Sequence, residues 1–175
     1  MKRTIIVFVT VMLLGATSKV SAHPGSGIVV DRVGNIYFVD TGSGVWKIDR
    51  NGKLTRLSGP AYHWMAIDVD GRLTNVTLPY FSSGDATVAR VGVEPTLLLS
   101  SDFPITVGRD GNLYYPWLRV GEELKVFRLA PSGTTAVFQA LPANTEGGPL
   151  RWLNGIVAAP DGSIYYTEDR AVRRI

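Results

Sequence analysis

Residues Gly27 to Gly59 read GIVVDRVGNIYFVDTGSGVWKIDRNGKLTRLSG, four short apolar runs parted by glycine-bearing turns. Ile28-Val29-Val30 leads to a turn at Val33-Gly34; Ile36-Tyr37-Phe38-Val39 and Val45-Trp46-Lys47-Ile48 follow, and Gly52 opens the way to Lys53-Leu54-Thr55-Arg56-Leu57. Short runs rich in β-branched and aromatic residues form strands, because those side chains pack well on a pleated surface and lose rotamer freedom in a helix. Glycine supplies positive φ at the turns without steric cost. The stretch therefore predicts a four-stranded antiparallel meander. Its second run is apolar on both faces, which suits a sheet packed between two neighbours better than one with a wet side.

The same order of parts recurs along the chain. First runs stand at Met65-Ala66-Ile67, Ile105-Thr106-Val107 and Ile156-Val157-Ala158, each followed by a turn at Asp70-Gly71, Asp110-Gly111 or Asp161-Gly162. Second runs follow at Leu73-Thr74-Asn75-Val76, Leu113-Tyr114-Tyr115 and Ile164-Tyr165-Tyr166, the first of these degraded by polar residues. Third runs stand at Val88-Ala89-Arg90-Val91, Val126-Phe127-Arg128-Leu129 and Val172-Arg173-Arg174-Ile175, each with a basic residue before its last aliphatic, as Lys47 is in the first unit. The turn glycines lie 37, 40 and 51 residues apart, and the Pro- and Gly-rich stretch Leu141 to Pro149 accounts for the longest interval. Four strands per unit at a period near 40 residues mark the blade of a β-propeller. The expected fold is all-β, with about three and three-quarter four-stranded antiparallel blades near 27–60, 63–100, 103–141 and 154–175.

The N-terminus carries a different signal. Lys2 and Arg3 precede the apolar run Ile5 to Leu14, and Val20-Ser21-Ala22 places small residues at −3 and −1 of a cleavage site. Residues 1–22 read as a Sec-type signal peptide, giving a secreted or periplasmic protein; the other reading, a retained anchor, meets a run shorter than the roughly 20 apolar residues that span a bilayer. Without Lys2, Arg3 and Lys19 the remaining chain holds 15 basic and 15 acidic residues, so its charge gives no support for nucleic-acid or membrane binding. The chain has no cysteine, which excludes disulfides and Cys-ligated metals.

The pattern GxxVDxxGNIYFVDTGSGVWKIDxxGKLTRL resembles an NHL repeat, a propeller unit related to the virginiamycin B lyase and gluconolactonase/regucalcin propellers. The resemblance covers the chain after the leader, strongly in units one, three and four and weakly in unit two. It implies the fold and leaves the activity open, since one fold hosts many functions. It also implies six blades. Ile175 falls at the end of the fourth unit's third strand, so three arrangements are expected: a fragment of a larger ring, a closed four-bladed ring, or an arc completed by a second chain.

In a propeller the first strands line the central channel, and the residues just before them converge at one mouth. Alignment places Ser26, His63, Phe103 and Asn154 there, with Asp40, Thr77, Trp117 and Glu168 in the loops between second and third strands on the same side. His63, Asn154, Asp40 and Glu168 would give that mouth its polar groups. Trp64, Trp117 and Trp152, with Tyr62 and Phe103, would give it exposed aromatics of the kind enriched in binding hot spots, unless some of the tryptophans pack between blades. Asp31 and Asp68 at the first-strand ends are expected to accept turn N–H groups. The column Lys47, Arg90, Arg128 and Arg174 is expected at solvated or salt-bridged edges.

Leu153-Asn154-Gly155 with Pro160-Asp161-Gly162 resembles the PNGL…PDG segment of the gluconolactonase/regucalcin family. In that family the asparagine ligates a divalent metal, so the resemblance implies a cation such as Ca²⁺ at Asn154, held by a hard amide oxygen. Leu153 stands where the family has proline, and His23 to Ile28 contains no glutamate to match its N-terminal ligand. Asn154 also suits a turn cap. No Ser-His-Asp spacing, HExxH, Walker loop or dinucleotide fingerprint occurs. Two functions of different class follow. One is a binding module that presents a propeller face to a protein, peptide or glycan; the other is a metal-dependent lactonase- or lyase-like enzyme with its site at the mouth. A truncated product without activity of its own is the third reading.

Overall fold

A computed structural model of the chain describes residues 27–40, 42–58, 62–73, 88–91, 95–100, 103–117, 123–141, 155–167 and 171–175, and for 58, 88, 117 and 141 their backbone only. The leader, Ser26, Asn75, Thr77, Trp152, Asn154 and Glu168 lie outside these residues. Every regular element among them is a strand, and no helix among them is long and apolar enough to cross a membrane.

Four antiparallel sheets follow one another along the chain. The first holds β1 (Ile28–Val30), β2 (Ile36–Asp40), β3 (Gly44–Ile48) and β4 (Leu54–Ser58), hydrogen-bonded in that order as the repeat predicts. The third, β8 (Thr106–Val107), β9 (Leu113–Trp117), β10 (Leu124–Leu129) and β11 (Thr135–Leu141), is the same meander. Three strands of the fourth sheet, β12 (Gly155–Ala158), β13 (Ile164–Thr167) and β14 (Val172–Arg174), keep the order. First strands pack side by side, β1 on β5, β5 on β8 and β8 on β12, where β5 (Trp64–Asp68) opens the second sheet. Four-stranded meanders stacked around adjacent first strands form a propeller arc.

The second sheet departs from the repeat. Its described strands are β5, β6 (Val88–Val91) and β7 (Thr96–Ser100), in the order β5-β7-β6. Thr96–Ser100, which follows the third run where the first unit has its fourth strand, thus fills the second position, pairing Met65 with Leu99 and Asp68 with Thr96. The physical reason is composition. TLLLS is buried along its whole length, its leucines serving both faces, whereas the run Leu73 to Val76 would bring Asn75 to a central strand. Of that run only Leu73 is described; it is fully buried beside the new β7.

The four turns after the first strands share one geometry. Gly34, Gly71, Gly111 and Gly162 all have positive φ, between 62° and 88°, and each donates its N–H to the carbonyl three residues back, at 3.1, 3.3, 2.9 and 3.0 Å. Glycine is required because a side chain in this conformation meets its own backbone. Asp31 accepts the N–H groups of Val33 (3.0 Å) and Asn35 (2.8 Å), Asn35 Nδ2 (2.7 Å) and the Tyr37 hydroxyl (3.1 Å), while Asp68 accepts Asp70 (3.1 Å) and Leu73 (2.6 Å). Both aspartates serve their turns, as expected.

Three apolar clusters lie between the sheets. Tyr37, Val39 and Val45 of the first sheet meet Met65, Leu97 and Leu99 of the second. Ala66 and Leu98 on the opposite face meet Ile105, Leu113 and Tyr115 of the third, where Tyr115 stacks on Phe127 with centroids 5.6 Å apart. Tyr114 and Val126 meet Ile164, Ile156 and Ala158 of the fourth. The second and third sheets are therefore apolar on both faces because each is inserted between two others, while the first and fourth are covered on one face.

Candidate functional site

The four first strands enclose a cleft of about 350 Å³. It is walled by equivalent segments of the repeats, 27–29, 64–67, 104–107 and 155–157. At the mouth end of those segments stand Gly27, Trp64, Pro104 and Gly155, each one residue after a position that the sequence alignment brought together. Deeper, Met65, Ile105 and Ile156 make the wall apolar. The wall's polar side chain is Thr106, whose hydroxyl accepts the Ala158 N–H at 3.2 Å and so ties the third sheet to the fourth.

Of two glycines at the mouth, Gly27 has a steric reason and Gly155 has ordinary contact around it. A Cβ on Gly27 would come within 3.0 Å of Met65 Cγ and 3.2 Å of Val39 Cγ2, so the close approach of the first two sheets needs a residue without one. A Cβ on Gly155 would stand 3.4 Å from Thr167 Oγ1 of its own sheet.

Of the expected polar groups, His63 and Asp40 are described. His63 is partly buried beside Trp64, its N–H donating to the Ser100 carbonyl at 3.1 Å and anchoring the approach to β5. Asp40 is exposed at the end of β2, where its carboxylate accepts the Gly42 N–H at 3.0 Å and the Ser43 hydroxyl. Ser43 Oγ in turn accepts the Trp46 indole N–H at 3.0 Å. The Ser43 bond first, then that of Gly42, holds the Asp40 carboxyl below its ordinary pKa. A carboxylate so stabilised is a weak base, and its hydrogen bonds fix the loop between β2 and β3.

Asn154, Glu168 and Trp152 lie outside the described residues, as does the Trp117 side chain. Among the described residues no group of three His, Asp or Glu side chains converges to hold a metal ion.

The aromatic expectations divide. Phe103, expected at the exposed mouth, is 6% exposed and packs on Tyr115 at 6.1 Å in the core between the second and third sheets. Its position beside the mouth is on the inner side, where an aromatic ring gains more by burial. Tyr62 is partly buried against the cluster between the first two sheets. Trp64 does both things: it packs on the second cluster and lines the cleft.

A second groove, of about 330 Å³, opens at the opposite end between the third and fourth turns. Its carboxylates are occupied locally. Asp110 accepts the Asn112 N–H (3.1 Å), Asn112 Nδ2 (2.6 Å) and the Tyr114 hydroxyl (2.8 Å). Asp161 accepts the Ser163 N–H at 2.9 Å and faces Arg174 at 3.5 Å.

The basic column has a partner that the sequence reading missed. Register places Tyr37 opposite Lys47, Tyr114 opposite Arg128 and Tyr165 opposite Arg174. Lys47 Nζ lies 5.6 Å from the Tyr37 ring centre, and the Arg174 guanidinium 6.0 Å from that of Tyr165. The recurrence of tyrosine second in the second run was the available signal. In the second sheet Arg90 faces Leu98 of β7 instead of a tyrosine.

No protein-family model matches the chain, and no curated protein matches it. Among solved structures the chain is similar to one described as "Streptogramin B lyase structure", at 15% identity and a TM-score of 0.32, over 85% of this chain and 36% of that one. The chain thus spans about a third of that protein's length.

Proposed function

We propose that the chain is an exported NHL-type β-propeller module that binds a ligand at the mouth formed by its first strands, and that the ligand is a protein or peptide. One observation carries this reading: equivalent segments of all four repeats wall a single cleft of about 350 Å³ with Trp64 at its rim. Apolar clefts with few convergent polar groups are the usual binding sites of soluble proteins. A glycan needs several hydrogen-bonding side chains, whereas among the described residues Thr106 is the polar side chain of the wall and is engaged with Ala158. Apolar peptide side chains fit such a wall better.

Selection of a random dodecapeptide phage library on the immobilised protein tests the proposal. Enriched peptides with apolar anchors that lose binding to Trp64→Ala support it. An absence of enrichment, or equal binding to folded Trp64→Ala, sinks it. Stoichiometric Ca²⁺ uptake in calorimetry would favour the metal-dependent alternative instead. N-terminal sequencing of secreted protein should begin at His23; material starting at Met1 would count against export by a cleaved leader.

A further inference from the structure

The outward faces of the first and fourth sheets are complementary halves of one interface. On the first sheet, Ile28, Phe38 and Trp46 form one row across the strands, and Val30, Ile36 and Ile48 the next. These side chains alternate with Val29, Tyr37 and Val45, which face the second sheet. The outward rows are apolar on the first three strands and end at Arg56 and Leu54 on the fourth, yet Ile28 is 71% and Val30 58% exposed. Soluble proteins seldom leave a contiguous apolar sheet face in water unless something docks there.

The interface between the first two sheets shows what such a face meets. Ile28 and Val30 are the repeat equivalents of Met65 and Ile67, and those two face the first sheet. What they meet there is the row Val29, Tyr37, Lys47 and the row Gly27, Val39, Val45. The outward face of the fourth sheet repeats these rows as Val157, Tyr165, Arg174 and Gly155, Thr167, Val172. The cation over the tyrosine recurs with them. So does the mouth glycine: Gly27 is the place where Met65 comes close, while over Gly155 the atom met is Thr167 of its own sheet. Val172 is 70% exposed there.

We infer that a second copy of this chain continues the stack, the first sheet of each copy packing on the fourth sheet of the other. Ile28 of one copy then stands over Gly155 of its partner, as Met65 stands over Gly27 within the chain. Head-to-tail contacts form rings when their rotation closes. Two copies of the four described sheets make a ring of eight, within the four to eight blades of known propellers.

Sedimentation of the secreted chain at micromolar concentration tests this. Wild type should sediment at twice the mass of one chain. Val30→Glu and Val172→Glu should each run as a single chain, since each spoils one half of both contacts. An equimolar mixture of the two should recover a pair weaker than wild type. The Val30→Glu copy keeps an intact fourth-sheet face and the Val172→Glu copy an intact first-sheet face, so one contact survives. Both positions are exposed in the single chain, and unchanged circular dichroism verifies folding; Leu54→Lys, on the same face as Val30, repeats the test if Val30→Glu fails to fold. Single chains in wild type overturn the inference, as they would if other residues of this chain or another protein cover these faces. Pairing by Val172→Glu as strong as wild type, a mixture that stays single, or masses that grow beyond two copies also overturn it. None of the altered residues lines the axial cleft, so peptide binding should survive in the single-chain variants and its fate is read separately.

Discussion

Asp31 illustrates how one carboxylate organises a turn and how it makes stability depend on pH. Burial pushes its carboxyl up, but hydrogen bonds from Asn35, Tyr37 and Val33 together outweigh this and hold it below 3.8. Asp49 and Asp161 are lowered likewise, chiefly by the backbone N–H groups of Lys53 and Ser163. Groups with lowered folded values stabilise the fold above their ordinary pKa, near 3.8, and that contribution is lost as pH falls through the folded values. Tyr37 and Tyr114 have the opposite sign: burial first, then the bonds to Asp31 and Asp110, raise them above 10.0. Their contribution is present below that pH and lost as pH rises through the folded values. Urea midpoints should therefore fall at both extremes. Asp31→Asn should cost about 1–3 kcal/mol at pH 7, because an amide N–H₂ replaces an acceptor facing donors, and should make the acid limb shallower. Tyr37→Phe should do the same to the alkaline limb. An unchanged acid limb in Asp31→Asn would refute the assignment.

At the scale of the element, β7 decides the second sheet. Its five residues are all buried, with Leu97 and Leu99 serving one inter-sheet cluster and Leu98 the other. Leu98→Ala should cost about 2–5 kcal/mol, since the cavity lies between two sheets that cannot both collapse into it. Val137→Ala, on the outermost strand of the third sheet and 51% exposed, should change stability by less than about 0.5 kcal/mol. Chemical denaturation of the pair checks the seat of β7; similar costs at the two sites would place Thr96–Ser100 at an edge. At the turns, Gly162→Ala has open space around it and should cost only the left-handed backbone penalty, about 1–2 kcal/mol.

Across the molecule, apolar clusters hold sheet to sheet, and charges only stitch the rim. Arg32 reaches from the first turn to Asp70 of the second at 2.5 Å, and Arg72 joins Asp70 at 3.1 Å while lying against Gly111 of the third. These arginines are largely exposed, so Arg32→Ala should cost less than about 1 kcal/mol. Ile105→Ala, in the core between the second and third sheets, should cost about 2–5 kcal/mol. Thermal or urea unfolding distinguishes the two; a larger loss in Arg32→Ala would mean that the stitched rim, and not the core, sets the stack.

The repeat was legible in single residues. Asp-Gly turns announced positive φ, and runs rich in β-branched and aromatic residues such as IYFV announced strands, because backbone sterics and burial act locally and leave a periodic trace. The same repeat register brings Gly27, Trp64, Pro104 and Gly155 to the wall of one cleft, since equivalent described segments of a repeat reach equivalent places. What local pattern could not set was competition between segments. Leu73 to Val76 and Thr96 to Ser100 both had claims on the second position, and burial of three leucines on two faces settled it in favour of the later strand. Nor could it show that Phe103 points into the core, that Asp40 is bound to its own loop, or that tyrosines face the basic column. Those depend on register and on which neighbour lies across a sheet. The sequence alone determined that Gly27 to Gly59 is a blade and that others follow; only the tertiary structure decided which of its faces is covered. Coverage depends on what is packed opposite, and that is a property of the assembled stack.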